Sequence, residues 1–470
     1  MTPDHFEFTP VHRQLIKATQ AWALRLPFDP AVARDLRRQI ILQNHAHYLE
    51  AIPAYRRVAD EDGIGPDADV ETIKRHLLLP DDIFKSYDQR WLDEADFGKM
   101  NAWLSEILHR PVDVASDGLD SIDAWLARLE AGGIKVVYSS GTSGNFSFVP
   151  RDAAAWRLFR AASTCYLAPL LLYEKIGSPW QRLAIRPAVR WLSPETFVRA
   201  SGGMGLRDFD AVFLDFSSGR TGNQALEQEL APLFRRTCFL YQTGLSSSLL
   251  RLAARGPRNE MERALLARLQ TEALSNKIEN HRRVIEALRR AAADRQKTFI
   301  FGTPYQFKEL CATINDLGQP VSLRPGSLAL FGGGWKSFTG ERIPRDELVA
   351  QMSQSFGLAP ERILEGYSMT EISTFMLRCD HGRFHIPPLI EPVILDEAWQ
   401  PLAGSDVRGV FGFLDTLAIS HPGFLVSGDE VRLVDGDCPC GLTGPAVLEI
   451  GRARAREVKG CGGIMASVAA

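Results

Sequence analysis

The order of apolar and polar positions gives the chain three textures. Up to about Leu119, apolar residues recur at helical spacing, through Val32–Ala51 and Trp103–Leu108, and no strand-like run interrupts them. This predicts a helical, partly irregular region over 1–119. Asp120 or Ser121 can cap the next helix, whose Trp125, Leu126 and Leu129 share a face and which ends at Gly132–Gly133. Short β-type runs then begin: Ile134–Tyr138, Leu183–Ile185, Ala211–Leu214, Phe239–Tyr241, Phe299–Phe301 and Leu328–Phe331. Most are followed by glycine-rich or helical sequence, which predicts an α/β core over 120–386 with helices packed on a sheet. Met261–Ala293 is the longest helical segment. Beyond Pro387, strands at Val393–Leu395, Val410–Leu414, Val431–Val434 and Val447–Ile450 are separated by turn residues. They predict a small β-rich subdomain over 387–452, followed by a tail over 453–470.

Length and charge narrow the picture. A chain of 470 residues predicts two or three packing units, some sharing one continuous sheet. Hydrophobic residues make up 45% and charged residues 24%, the balance of an ordinary globular protein. A formal net charge of −3 supplies no global field toward nucleic acid or an anionic membrane. The opening residues, MTPDHFEFTP, lack the apolar run of a signal peptide. The longest apolar stretch, Tyr166–Tyr173, is too short for a membrane span and contains Pro169. Seven cysteines, an odd number, fit a reducing compartment where cysteine acts as ligand or nucleophile. The expectation is a cytoplasmic protein with no nucleic-acid partner and no membrane span.

Candidate chemistry begins at Val136–Pro150, VVYSSGTSGNFSFVP. A buried-type strand runs into Ser139, Ser140, Gly141, Thr142, Ser143 and Gly144. Such a loop offers backbone N–H groups and hydroxyls to a polyphosphate, and its glycines let an anion approach the main chain. It is not a Walker loop, since no lysine follows the second glycine. Read alone, it is equally a flexible Ser/Gly turn. Downstream come Gly332–Gly333–Gly334–Trp335–Lys336, then Glu365–Gly366–Tyr367–Ser368–Met369–Thr370–Glu371, then Ser427–Gly428–Asp429, and Gly451–Arg452.

In this order the elements resemble the adenylate-forming superfamily of acyl-CoA synthetases, adenylation domains and firefly-type luciferases. The FGGGWK, FHIPP and terminal GR…KGC segments, with Pro80–Asp81–Asp82–Ile83–Phe84–Lys85 upstream, are similar to the LuxE-type acyl-protein synthetases; phenylacetate-CoA ligases are next nearest. The resemblance implies an α/β fold. It would be the large N-terminal domain of an adenylate-forming enzyme, with α/β sheets and a small β-rich subdomain, and with the mobile C-terminal domain absent. It implies that Ser139–Gly144 holds the β- and γ-phosphates of ATP, with Thr142 and Ser143 as hydroxyl donors. Tyr367 would lie against the adenine, Thr370 bond the α-phosphate, Glu371 help bind Mg²⁺, and Asp429 accept from the ribose hydroxyls. Gly332, Gly333 and Gly334 would line the channel, and Arg452 stand at the ribose or hinge position. Taken singly, Tyr367 is also a core aromatic, and Glu371 a carboxylate favoured by a helix dipole. Most superfamily members bring a lysine on a C-terminal domain of about a hundred residues, an ordinary domain size. This chain stops at Ala470, so Lys336 and Lys85 are the expected substitutes; either is also readable as a surface lysine.

Two cysteine groups remain. Cys379, His381 and His385 precede a Cys438–Pro–Cys440–Gly knuckle, and three thiolates with one imidazole suit tetrahedral zinc. A similar pattern in the phenylacetate-CoA ligases, with histidine directly before an Ile-Pro step, favours His385 over His381. The site would be structural; the alternative is reduced cysteines packed as small hydrophobes. Cys165, Cys238 and Cys311 lie in apolar contexts and read as core. Cys461 lies between Lys459–Gly460 and Gly462–Gly463, with Arg452, Arg454 and Arg456 nearby to favour its thiolate. The LuxE resemblance implies an acyl-carrying cysteine in this region, while the residue alone is equally an exposed thiol in a frayed tail. The sequence therefore predicts ATP-dependent activation of a carboxylic acid, expected to be fatty, and acyl transfer to a cysteine, with an acyl-protein reductase as partner. Its competitors are an acyl- or aryl-CoA ligase or other adenylate-forming biosynthetic enzyme, and a non-catalytic carboxylate- or partner-binding protein.

Overall fold

The computed structural model describes residues 9–139, 145–172, 187, 206–318, 320–335 and 340–453, with the side chains of 163–172, 270, 273 and 274 outside that description. The expected strand Leu183–Ile185 and the Cys165 side chain lie outside it. The N-terminal region is helical. Its first three helices, Pro10–Ala23, Pro30–Ala51 and Pro53–Glu61, each open on proline, whose preset φ and missing N–H suit a first helical position. Helix Ile122–Ala131 is capped by Ser121, whose hydroxyl accepts from Ala124 N, and it ends at Gly132. Trp125, Leu126 and Leu129 are fully buried.

The strands are β1 (Leu79–Pro80), β2 (Ile134–Ser139), β3 (Ser147–Asp152), β4 (Phe209–Ser218), β5 (Arg236–Gly244), β6 (Lys297–Gly302), β7 (Leu328–Gly332) and β8 (Ile363–Tyr367). They continue with β9 (Met376–Arg378), β10 (Phe384–His385), β11 (Ile390–Leu395), β12 (Asp406–Asp415), β13 (Phe424–Val434) and β14 (Ala446–Arg452). Twelve of them form one sheet in the order β11-β12-β13-β14-β10-β9-β8-β7-β6-β4-β5, with β1 added to β13. The run from β5 to β8 is parallel. From β8 to β11 every pairing is antiparallel. The β-rich C-terminal strands therefore extend the α/β sheet itself.

The central parallel strands β4, β6 and β7 are buried on both faces over most of their length, so they read as largely continuous apolar runs. Val212, Leu214, Ile300, Ala329 and Phe331 join one core cluster with the helices Glu260–Ala293, Pro304–Asp316 and Arg345–Phe356. Phe213, Phe299, Phe301 and Leu330 join another with Leu230, Phe234 and Phe375. No described helix is long and apolar enough to cross a membrane.

Three strands depart from the sequence reading. β2 is not in the large sheet; it pairs antiparallel with β3, Ser139 opposite Ser147. β3 was hidden by Pro150, which cannot donate to a ladder and is tolerated where a strand has a single partner. In the N-terminal region, Leu79–Pro80 pairs in parallel with Leu425–Val426, a run too short to show a period.

Trp125 anchors the helical region to the β2–β3 hairpin. It stacks on Phe97 at 5.5 Å, meets Phe148 edge-on at 5.4 Å, and donates from Nε1 to Asn101 Oδ1 at 2.8 Å. Trp125→Ala is expected to cost about 3–5 kcal/mol, the usual loss for truncating a buried aromatic. Urea unfolding followed by circular dichroism measures it; an unshifted midpoint contradicts this packing role.

Candidate active site

The carboxyl ends of parallel strands are where open α/β sheets bind ligands. Here β4, β6, β7 and β8 end around a cavity of about 390 Å³, a size suited to a small molecule. Its mouth is polar, with Ser139, Thr221, Asn223, Ser368 and Thr370; its depth is apolar, with Trp156, Leu230, Phe299, Phe301 and Leu330.

Glycine is required where β7 leaves the sheet. A Cβ on Gly332 would lie 3.1 Å from the Gly366 carbonyl oxygen, and Gly333 and Gly334 have φ of +79° and +65°. The turn presents main chain to the cavity. Beside it, helix Gly222–Leu230 begins at the N-cap Thr221. A Cβ on Gly222 would lie 3.1 Å from Thr370 Oγ1, so the positive end of this helix stands against the Thr370 hydroxyl.

The Thr370–Glu371 turn is held from behind by β3. Ser147 Oγ donates to Glu371 Oε1 at 2.7 Å, and Arg151 Nη2 donates to the Thr370 carbonyl at 2.8 Å. Glu371 and Arg151 are both buried. Burial lowers the Arg151 guanidinium to about 10, against the opposing pull of Asp415 and Glu371. Asp415, fully buried, accepts from Ser373 N at 2.7 Å and Leu417 N at 2.8 Å. Asp81 approaches from the far side. Its carboxyl is pushed up to about 7 by burial, then by the negative charges of Glu371 and Asp82. Lys85 pairs with Asp82 at 2.6 Å and also feels Asp81 and Glu371.

Tyr367, at the end of β8, donates its hydroxyl to Asp429 Oδ2 at 2.8 Å. Burial and then Asp429 hold its phenol well above the ordinary range. Asp429 also pairs with Arg452 at 3.0 Å; the two are register partners on β13 and β14. Tyr367, Asp429 and Arg452 thus form one connected unit. Ser140, Gly141, Thr142, Ser143, Gly144, Lys336 and Cys461 lie outside the described residues; Ser139, which precedes the first of them, pairs with Ser147.

The sulfur cluster is apart from this cavity. Cys379, His385, Cys438 and Cys440 have ligand atoms within 4.8 Å of one another. The Cys379–Cys438 sulfur separation is 3.8 Å, and Cys440 Sγ lies 3.3 Å from His385 Nε2. Bond lengths of about 2.3 Å to sulfur in a tetrahedron give sulfur–sulfur edges of about 3.8 Å. Both turns close on left-handed glycines, Gly382 at φ +77° and Gly441 at φ +87°. His381 is exposed and is not in the cluster. With Cys440 donating, Cys379 is shifted toward thiolate and Cys440 away from it. Cys311 is buried and Cys238 half-buried.

Ser147, Arg151 and the Thr221–Gly222 helix start were missed by the sequence reading. A signal for the last was present: Thr221 and Gln224 form a capping box.

The fold is that of the adenylate-forming enzymes. Two structures of 2-hydroxyisobutyryl-CoA ligase, one open with 2-HIB-AMP and CoA and one in the thioesterification state, superpose with TM-scores of 0.52 and 0.53. They cover 91% of this chain and 71% and 70% of theirs, at 14% and 16% identity. Part of the chain is similar to one family: the family model "Acyl-protein synthetase, LuxE" matches residues 267–469. A long-chain-fatty-acid–luciferin-component ligase of Vibrio harveyi is 30% identical over 166 residues, 34% of this chain. The matched stretch spans 43% of that relative's length.

Proposed function

We propose that the chain activates a carboxylic acid with ATP and then passes the acyl group to a thiol. The observation that carries this is the joining of an apolar cavity to a polar mouth. The mouth is built from the glycine turn, a helix N-terminus and the Thr370–Glu371 turn. An acid lying in the apolar part brings its carboxylate to the mouth, where a nucleotide's α-phosphate would meet Thr370. A carboxylate oxygen attacks the α-phosphorus, the bond to the bridging oxygen breaks, and pyrophosphate leaves. Aligning two anions and compensating their charge is most of the catalytic task. The Gly222 helix start offers partial positive charge there, and the main-chain turn at Gly333 offers room. The apolar walls, together with the similarity to a long-chain-fatty-acid ligase of Vibrio harveyi, favour a fatty acid.

Glu371 suits Mg²⁺. It is a buried carboxylate whose Oε1 takes one serine hydroxyl, a hard-oxygen donor beside a second carboxyl, Asp81. Bound there, the cation would neutralise phosphate charge. Ser147 and Arg151 keep the carboxylate and the Thr370 main chain in register for it.

For the second step, the proposed acceptor is Cys461. Its thiolate attacks the acyl carbonyl, AMP leaves, and a thioester forms that a partner acyl-protein reductase would use. The Cys379, His385, Cys438 and Cys440 set is proposed to hold structural zinc, since all four positions are filled by protein.

Three outcomes are expected. Glu371→Gln should remove most Mg²⁺-dependent pyrophosphate release and leave the circular dichroism spectrum intact; undiminished release refutes the role. With ATP, Mg²⁺ and a radiolabelled fatty acid, the wild type should hold hydroxylamine-labile label after denaturation. Cys461→Ser should lose that label yet still release pyrophosphate; a labelled variant moves the acceptor elsewhere, and free CoA thioester without protein label favours the ligase. Metal analysis should find about one zinc per chain, the stoichiometry of one closed site. A metal-free preparation of full thermal stability ends the zinc proposal.

A further inference from the structure

One buried cation stands on the cavity wall. The Arg151 guanidinium donates from Nη2 to the Thr370 carbonyl, its sole side-chain hydrogen bond among the described residues. Its Nε has no partner, and it forms no ion pair among the described residues. The residue is 2% exposed. Burial lowers it only to about 10, so it is charged at neutral pH.

The alternation of the β2–β3 hairpin shows where that charge lies. Alternate residues of a strand share a face, and directly opposed residues share it across the ladder. Lys135 opposes Arg151, Val137 opposes Val149, and Ser139 opposes Ser147. Of this face, Val137, Ser139 and Arg151 line the cavity. Lys135 Nζ lies 3.9 Å from the centre of the Trp156 ring, and the Arg151 guanidinium carbon 5.4 Å from that of Phe159. Both rings belong to the cavity wall. The cation therefore lies between Thr370, at the polar mouth, and the aromatic wall.

A buried charge without a counter-charge in contact is costly, and a ligand that brings one recovers part of that cost. Asp415 and Glu371 lend opposing charge but form no ion pair with Arg151. An acid whose tail lies along the aromatic wall brings its carboxylate to this junction. The guanidinium's remaining N–H groups can donate to the carboxylate oxygens while Nη2 keeps the Thr370 carbonyl. Lys85, expected from the sequence to supply such a charge, is instead paired with Asp82.

We infer that Arg151 holds the substrate's carboxylate beside Thr370. This rests on the acid-activating reading and names the residue that receives its substrate. The carboxylate is thereby turned toward the α-phosphorus, and the cation offsets the repulsion between the two anions.

The test compares octanoic and decanoic acids with their amides, which keep the tail and lose the charge. Calorimetry gives binding of each to the complex with α,β-methylene ATP, and pyrophosphate release is followed separately with ATP. The wild type should bind each acid about 10-fold or more tighter than its amide, the worth of hydrogen bonds to a charged group. Arg151→Gln keeps a donor for the Thr370 carbonyl and should bring that ratio near one. Arg151→Lys keeps the charge and should hold a reduced ratio. A role confined to the Thr370 turn would weaken acid and amide alike and leave the ratio unchanged. Equal binding of acid and amide by the wild type overturns the inference, whether or not a variant folds. A ratio undiminished in either variant overturns it too, and with pyrophosphate still released it leaves the adenylation reading standing. An Arg151-dependent preference without pyrophosphate release from any acid supports the inference and strikes the adenylation reading instead.

Discussion

The grip of β3 on the Thr370–Glu371 turn is the constraint on which the site depends. Neither residue is held by its own strand, because β8 ends at Tyr367. The turn beyond it is fixed by a serine hydroxyl on the Glu371 side chain and a buried guanidinium on the Thr370 carbonyl. Both donors come from a hairpin that shares no ladder with the large sheet. The hairpin that carries these donors and the turn it holds are therefore one mechanical unit. Arg151 is costly to bury, and Asp415 and Glu371 supply the opposing charge that makes it tolerable. Asp415 in turn holds Ser373 N, so one buried carboxylate stabilises both the guanidinium and the far end of the turn.

That buried centre extends into the N-terminal helices. Residues 415–421 are held by helix Pro30–Ala51: Asn44 donates to the Thr416 carbonyl, Tyr48 to the Ala418 carbonyl, and His47 meets the Ile419 carbonyl. The first helix reaches the sulfur cluster by a parallel route. Trp22 Nε1 donates to the Thr443 carbonyl at 2.8 Å, and Arg25 Nε donates to the Cys440 carbonyl at 2.9 Å. The helical region is thus a clamp across the antiparallel half, gripping it behind the site and at the cysteine knuckle.

What the sequence revealed follows from periodicity and its limits. The central parallel strands were legible because both their faces are buried, leaving unbroken runs such as Ala211–Leu214. The glycine turn, Tyr367, Asp429 and the set Cys379, His385, Cys438 and Cys440 were legible as ordered motifs, and the fold brings the members of the Cys/His set together. Tertiary relations were not. β3 carries Pro150 and two charged residues in a fully buried strand, so neither alternation nor composition announces it. Arg151 looks like a surface arginine until Asp415, distant in sequence, is folded against it. Asp81 was visible within a motif, yet its approach to Glu371 depends on two residues of β1 joining β13. The sheet's continuity was equally hidden, since β9 and β10 are too short to carry a period.

That continuity brings residues of the parallel and antiparallel runs together. The Tyr367 hydroxyl bonds Asp429, so a residue ending the parallel run and one within the antiparallel run meet as a pair. β9, β10 and β14 lie between β8 and β13 in the sheet. A contact across so many strands requires strong twist, which the right-handed coiling of sheets supplies. The cavity's apolar wall, by contrast, takes Phe299, Phe301 and Leu330 from β6 and β7, inside the parallel half. Side chains at Asp215 or Phe301 can therefore change without touching the Tyr367–Asp429–Arg452 unit. The Thr370 turn, tied by β3 to neither ladder, is the point at which the two halves must agree.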